Sequence, residues 1–263
     1  MKKWTTLILG ALVLALAASP ASAELKKKYK VATEGAYKPF NWIDENNQLQ
    51  GFDVDIAKEL CNRIKVECVI VAQDWDGIIP GLLAKKYDMI VASMSITPER
   101  KKKVDFTQKY YNDPARFVTK KGSGIDPTKP ETLKGKTIGV QVSTIHEHFA
   151  KDTFGNIATI KSYDTQENAN LDLANGRLDA VLADSVALDE GFLKTDAGKD
   201  FEFVGPGYND PKYFGEGAGI AVRKGDDELR SALNKAIEAI RKDGTYQKIE
   251  SKYFKYDIYG AES

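Results

Sequence analysis

The alternation of strand-like and helix-like segments is what most constrains this chain. Lys30-Val31-Ala32-Thr33, Val69-Ile70-Val71 and Met89-Ile90-Val91-Ala92 have the length and apolar character of buried strands. Between them, Asp53 to Ile64 puts Val54, Ala57, Leu60, Cys61 and Ile64 on one helical face, and Ile78 to Ala84 reads as a second helix. Such strand–helix–strand units build mostly parallel sheets covered by helices. The pattern restarts beyond residue 115. Thr137-Ile138-Gly139-Val140 and Ala180-Val181-Leu182-Ala183 are strands, with helices expected to begin near Thr144 and near Gln166. A helix over Asp226 to Lys242 carries an apolar stripe of Leu229, Leu233, Ile237 and Ile240. Its acidic start and basic end before Gly244 suit the helix dipole. A last helix is expected from Thr245, bearing Ile249, Tyr253 and Phe254.

Two turn-rich segments, Tyr110 to Pro114 and Gly205 to Pro211, break this pattern. The fold class expected is therefore α/β with two lobes. Residues 24–111 and 212–263 form lobe 1, residues 115–208 form lobe 2, and two hinge strands cross near 112–114 and 209–211. A ligand would bind in the cleft between the lobes, near strand carboxyl ends and helix starts.

Residues 1–23 have the three parts of a secretory signal peptide: Lys2 and Lys3, an apolar run from Thr5 to Ala18, and the small-residue site Ala21-Ser22-Ala23. The run is too short for the ~20 residues of a spanning helix. No cysteine at the cleavage point suggests a lipid anchor. The chain has 38 basic and 38 acidic residues, and loss of Lys2 and Lys3 leaves it slightly acidic. That balance argues against nucleic acid as a partner. No second long apolar run follows, so a soluble exported protein is expected. In an oxidising compartment the only two cysteines, Cys61 and Cys68, suggest a local disulfide. A metal site would need two further ligands, and none lies nearby in sequence.

The most informative stretch runs from Ala92 to Arg100. A buried strand leads into Ser93, Ser95 and Thr97, with Thr97 suited to cap a helix and Pro98 to its first position. Arg100 then falls in the first turn, where a cation opposes the dipole unless an anion joins it. Arg100 reads either as a carboxylate clamp or as a surface residue paired with Glu99 or Asp105. In the second half, Ser143 and Thr144 precede Glu147, and Thr144-Ile145-His146-Glu147 fits a capping box. Its helix start is either an anion site or an ordinary cap. Asp184 ends a strand and reads as an ammonium acceptor or as the cap of the next helix. Glu34, Tyr37 and Trp75 also follow strands. Glu34 could neutralise a cationic ligand tail that the two rings sandwich, although core packing is the plainer role for each ring. Asp53 is a further tail contact or a helix cap. Catalytic signals are weak. His146 and His148 face different sides of a helix, Ser143 beside His146 has no third partner, and there is no phosphate loop or nucleophile elbow. Lys101-Lys102-Lys103 is most simply a solvated face.

Taken together, Thr33-Glu34-Gly35-Ala36-Tyr37-Lys38-Pro39-Phe40, Gly51-Phe52-Asp53-Val54-Asp55, Asp74-Trp75-Asp76-Gly77-Ile78-Ile79-Pro80, Ser93-Met94-Ser95-Ile96-Thr97 with Arg100, Gly176-Arg177-Leu178-Asp179-Ala180 and Asp243-Gly244-Thr245-Tyr246 are a specific set. Over essentially the whole mature chain this resembles the polar amino-acid solute-binding proteins of ABC importers (solute-binding protein family 3), above all the lysine/arginine/ornithine- and histidine-binding group. The resemblance implies a type II periplasmic-binding-protein fold, a short-range Cys61–Cys68 disulfide, no cofactor and no enzymatic activity. It implies a monomer that binds one amino acid in the periplasm and docks by both lobes on a membrane-embedded permease. It assigns the ligand's α-carboxylate to Arg100, Ser95 and the helix start at Ser143 and Thr144, and its α-ammonium to Asp184 and Ser93. Glu34 and Asp53 match tail contacts, and Tyr37 and Trp75 match the stacking pair. Ala92 stands where the lysine/arginine/ornithine group carries Ser, and Trp75 where it carries a smaller aromatic. Opine-binding relatives and periplasmic cyclohexadienyl dehydratases are the alternatives on this fold. A retained Asp184 favours a free α-ammonium over an opine. Service as a receptor's sensor would need a partner protein.

Overall fold

The computed structural model describes residues 24–260, and the expected signal segment, Met1 to Ala23, lies outside them. The first stretch of chain contributes β1 (Lys28–Thr33), β2 (Ala36–Tyr37), β3 (Asn41–Ile43), β4 (Leu49–Gln50), α1 (Phe52–Arg63), β5 (Glu67–Ala72), α2 (Ile78–Leu83), β6 (Met89–Ile90), α3 (Pro98–Lys101) and β7 (Asp105–Tyr111). The second contributes β8 (Ala115–Lys120), β9 (Thr137–Gln141), α4 (Ile145–Phe154), β10 (Thr159–Tyr163), α5 (Gln166–Ala174), β11 (Ala180–Asp184), α6 (Ser185–Leu188), β12 (Phe201–Tyr208) and α7 (Pro211–Phe214). The chain returns with β13 (Ala218–Val222), α8 (Asp227–Lys242) and α9 (Thr245–Glu250).

Two five-stranded sheets result, ordered β5-β1-β6-β13-β7 and β10-β9-β11-β8-β12. In each, parallel strands are joined by antiparallel strands that adjoin the crossings between lobes. Strand residues alternate between two cores. Val31, Met89, Ile220 and Val222 face α1, α8 and α9, while Ala32, Ile90 and Ala221 face α2. In the second lobe Ile138, Val140 and Leu182 pack with α4, and Val118, Val181 and Ala183 with α5. Burial on both faces explains why these strands read as unbroken apolar runs. Cys61 and Cys68 are bonded, tying the end of α1 to β5. No helix among the described residues is long and apolar enough to cross a membrane.

Three expectations shift. β6 ends at Ile90, because the chain then leaves the sheet to form the loop that carries Ser93. α9 ends at Glu250, so Tyr253 and Phe254 lie beyond it, packed against Phe52. The second crossing moves from 209–211 to Gly215, because Tyr213 and Phe214 pack against Phe149 in the second lobe. Beyond them Glu216 N donates to Ile96 O of the first lobe. Gly215 has φ 74°, and a Cβ there would lie 2.2 Å from Ile96 O, so only glycine fits. At the first crossing the change falls between Asn112 and Asp113. Asn112 N donates to Ile258 O, whereas Asp113 accepts from Val186 N.

Ile237 on α8 is fully enclosed in the first lobe's core. Ile237→Ala is expected to lower stability by about 2–5 kcal/mol in urea unfolding, with the cleft between the lobes unaffected.

Candidate ligand-binding cleft

The carboxyl ends of β1, β9 and β11, the loop after β6, and the starts of α3 and α4 converge between the lobes. Glu34, Tyr37, Trp75, Ala92, Ser93, Ser95, Arg100, Thr144 and Asp184 line the cleft there, together with Gln141, Ile145 and His146. The space is about 320 Å³, part of it open to solvent. The lobes touch across it through Tyr37–Asp184, Glu34–Gln141 and Trp75 Nε1–Ser143 O, the last at 3.2 Å.

Arg100 is aimed by its helix start. Thr97 Oγ1 accepts from Arg100 N at 3.2 Å, and Pro98 opens the turn. The guanidinium donates to Ser95 O at 3.1 Å and lies 5.2 Å over the Trp75 ring. Neither of the surface pairings forms: Glu99 meets His148, and Asp105 meets Lys224. Among the described residues no carboxylate lies within ion-pair distance of Arg100. Enclosure pulls its pKa down to about 10, with Asp184 and Glu99 opposing that shift.

Asp184 stands on the other lobe at the end of β11. Tyr37 OH donates to its Oδ2 at 2.9 Å, and His146 Nε2 lies 3.1 Å from its Oδ1. Asp184 does not cap α6 with its side chain. Asp113 of the hinge serves that helix start, accepting from Val186 N at 2.7 Å and from Ser185 Oγ. Burial and the nearby Asp184 charge push Asp113 up to about 8. The same two causes push the Tyr37 hydroxyl well above its ordinary range.

Glu34 lines the cleft just beyond β1. Gln141 Nε2 donates to its Oε1 at 2.5 Å. Burial, only partly offset by that bond and reinforced by Asp74 and Asp53, pushes Glu34 up to about 7. Thr144 lines the cleft while its hydroxyl accepts from Glu147 N at 3.1 Å, so α4 begins with the expected cap. Ala92 presents a methyl and no donor.

Two of the expected contacts are placed elsewhere. Asp53 lies under the cleft and is fully buried, accepting from Asn41 Nδ2, Ser93 Oγ and Tyr110 OH. It is not among the residues that line the cleft, and Gly51 rather than Asp53 stands at the helix cap. The network instead holds Ser93, whose φ of 53° is left-handed and costs roughly 1–3 kcal/mol by itself. Ser143 faces the outer groove at the cleft mouth and contributes its carbonyl to the bond with Trp75. Sequence reasoning had assigned no ligand contact to Gln141, Ile145 or His146. Each adjoins a flagged feature, the end of β9 or the capping box, but their partners lie on distant segments. Among the described residues no group of three or more His, Cys, Asp or Glu could hold a metal ion.

A separated cation and carboxylate, with a second carboxylate farther along, suit a zwitterion carrying a cationic tail. Comparison with known proteins identifies the family. The family model for bacterial extracellular solute-binding proteins, family 3, matches residues 29–256, and the chain belongs to that family. It is similar to the L-arginine-binding protein of Pseudomonas aeruginosa, with 50% identity over 256 residues, 97% of this chain and 98% of the relative. The lysine/arginine/ornithine-binding periplasmic protein of Escherichia coli is 43% identical over 261 residues, 99% of this chain and 100% of the relative. A solved Salmonella typhimurium periplasmic binding protein, described for its high arginine specificity, matches with TM-score 0.80 at 34% identity, covering 87% of this chain and 100% of that one.

Asp53→Ala would leave three donors without their acceptor, and a loss of about 3 kcal/mol is expected in urea unfolding. Burial raises the folded pKa of Asp53 from 3.8 to about 6. The folded state therefore holds the extra proton, and Asp53's contribution to stability falls as pH rises from 4 to 6. Stability measured across that range should fall less in the variant.

Proposed function

We propose that this family 3 solute-binding protein captures a basic amino acid, arginine, lysine or ornithine before histidine, as the periplasmic substrate-binding component of an ABC importer. The observation that carries this reading is the placement of three charged groups in one cleft. Among the described residues Arg100 has no carboxylate partner, Asp184 has a hydroxyl and an imidazole, and Glu34 is buried beside an amide. Burying charged groups is costly unless they are paired. An amino acid with a cationic tail would supply all three counter-charges.

In this account the α-carboxylate meets Arg100, Ser95 and the free N–H groups at the start of α4. The α-ammonium meets Asp184 and Ser93. The tail runs between Tyr37 and Trp75 toward Glu34. Ligand binds one lobe of an open form, the hinges at Asn112–Asp113 and Gly215 close the other lobe over it, and the closed monomer presents both lobes to a membrane permease. Export by a cleaved signal peptide places the protein in the periplasm. No bond is made or broken.

Glu34 at about 7 would also suit a general acid, which is the feature that favours a cyclohexadienyl dehydratase. Turnover of arogenate or prephenate would establish that reading. An opine would meet Asp184 with a substituted amine and an additional acid, a poorer match.

Calorimetry on protein stripped of ligand by partial unfolding, titrated with arginine, lysine, ornithine, histidine, glutamine and octopine, tests the proposal. One-to-one binding of a basic amino acid is expected, weakened at least ~100-fold in Arg100→Ala and in Asp184→Ala. Absence of binding across the basic amino acids would refute it. A cationic tail favours ionised Glu34, so binding should release a proton near neutral pH. Affinity should weaken as pH falls from 8 to 6, by up to ~10-fold per unit below the pKa of Glu34. Glu34→Gln should abolish both the proton release and that slope.

A further inference from the structure

Glu34 and Gln141 come from different lobes and meet at the tail end of the cleft. Glu34 follows β1 and Gln141 ends β9, so both stand at carboxyl ends of parallel strands. Both are buried. Gln141 Nε2 donates to Glu34 Oε1 at 2.5 Å and to Asp164 O at 3.1 Å. These bonds engage both N–H donors of the amide. Flipping the amide would set its oxygen against a carboxylate and a carbonyl, so its partners fix its orientation. The remaining polar atom of Gln141, Oε1, can only accept. It stands beside a carboxylate with one oxygen already engaged, and among the described residues no cation pairs with Glu34.

We propose that Gln141 is the specificity-determining residue of the tail subsite and makes it prefer a planar guanidinium to a primary ammonium. The Glu34 carboxylate and the Gln141 amide oxygen form a short row of acceptors. A guanidinium carries five N–H donors in one rigid plane and reaches both oxygens together, while its flat face rests against Trp75 or Tyr37. A lysine or ornithine ammonium is a compact, strongly hydrated point charge. It is satisfied by Glu34 and loses less when the amide oxygen is removed. Glu34, Tyr37 and Trp75 belong to the first lobe and Gln141 to the second, so tail selection is completed only when the lobes close.

The inference rests on the basic-amino-acid reading above, and its test separates the two. Arginine and lysine are titrated into the stripped wild-type protein and into Gln141→Leu and Gln141→Met, with urea midpoints recorded to show that each variant is folded. Two non-polar substitutions guard against a failure to fold in either one. The wild type should prefer arginine by at least ~10-fold, and the preference should fall to within ~3-fold in the variants, mainly through weaker arginine binding. An unchanged arginine-to-lysine ratio, whether both affinities fall together or neither moves, would overturn the role of Gln141. So would a wild type that does not distinguish the two ligands. A wild type that binds neither would instead bring down the reading on which the inference stands.

Discussion

Closing this cleft removes water from charged groups that the protein itself leaves incompletely paired. Burial disfavours the charged form of any group, and it acts here in opposite directions. It lowers Arg100 to about 10 and raises Glu34 to about 7. A ligand bearing a carboxylate, an ammonium and a cationic tail reverses each of these shifts by supplying its counter-charge. On the proposed function, charge matching inside a desolvated space would provide both the affinity and the reason for closure. A partner that lacks one charge leaves one buried protein group unanswered.

Among the described residues Arg100 and Glu34 have no ion-pair partner, and Asp184 has only the His146 imidazole. Parallel strands in both lobes end at the cleft, so Glu34 arrives after a strand of the first sheet, and Gln141 and Asp184 at the ends of neighbouring strands of the second. Support comes from below and behind. Asp53, Asn41 and Tyr110 fix the left-handed Ser93. Asp113 binds the start of α6, and thereby ties the segment after Asp184 to the hinge. On the proposed function, a ligand held by Asp184 would act on residues anchored to the first crossing.

Much of this was legible in the sequence because it depends on local pattern. Unbroken apolar runs reported strands covered on both faces, and Thr97-Pro98 reported the helix start that aims Arg100. The two turn-rich segments were read as crossings, the second of them ahead of Tyr213 and Phe214, which pack against Phe149. That aromatic cluster joins residues distant in sequence. The same limit hid Gln141 and His146, whose partners lie 107 and 38 residues away. Asp53 looked like a pocket residue because it neighbours the right motif. Only the packing of Asn41, Ser93 and Tyr110 around it shows that it serves the floor.

The most direct test of the central claim is a calorimetric comparison of arginine with analogues that each lack one charge: agmatine without the carboxylate, argininic acid without the ammonium, and citrulline without the charged tail. Charge matching predicts that each deletion weakens binding at least ~100-fold, as expected when a desolvated charge loses its partner. Agmatine or citrulline binding as tightly as arginine would contradict the account, since Arg100 or Glu34 would then be buried without an answering charge and at no cost to affinity.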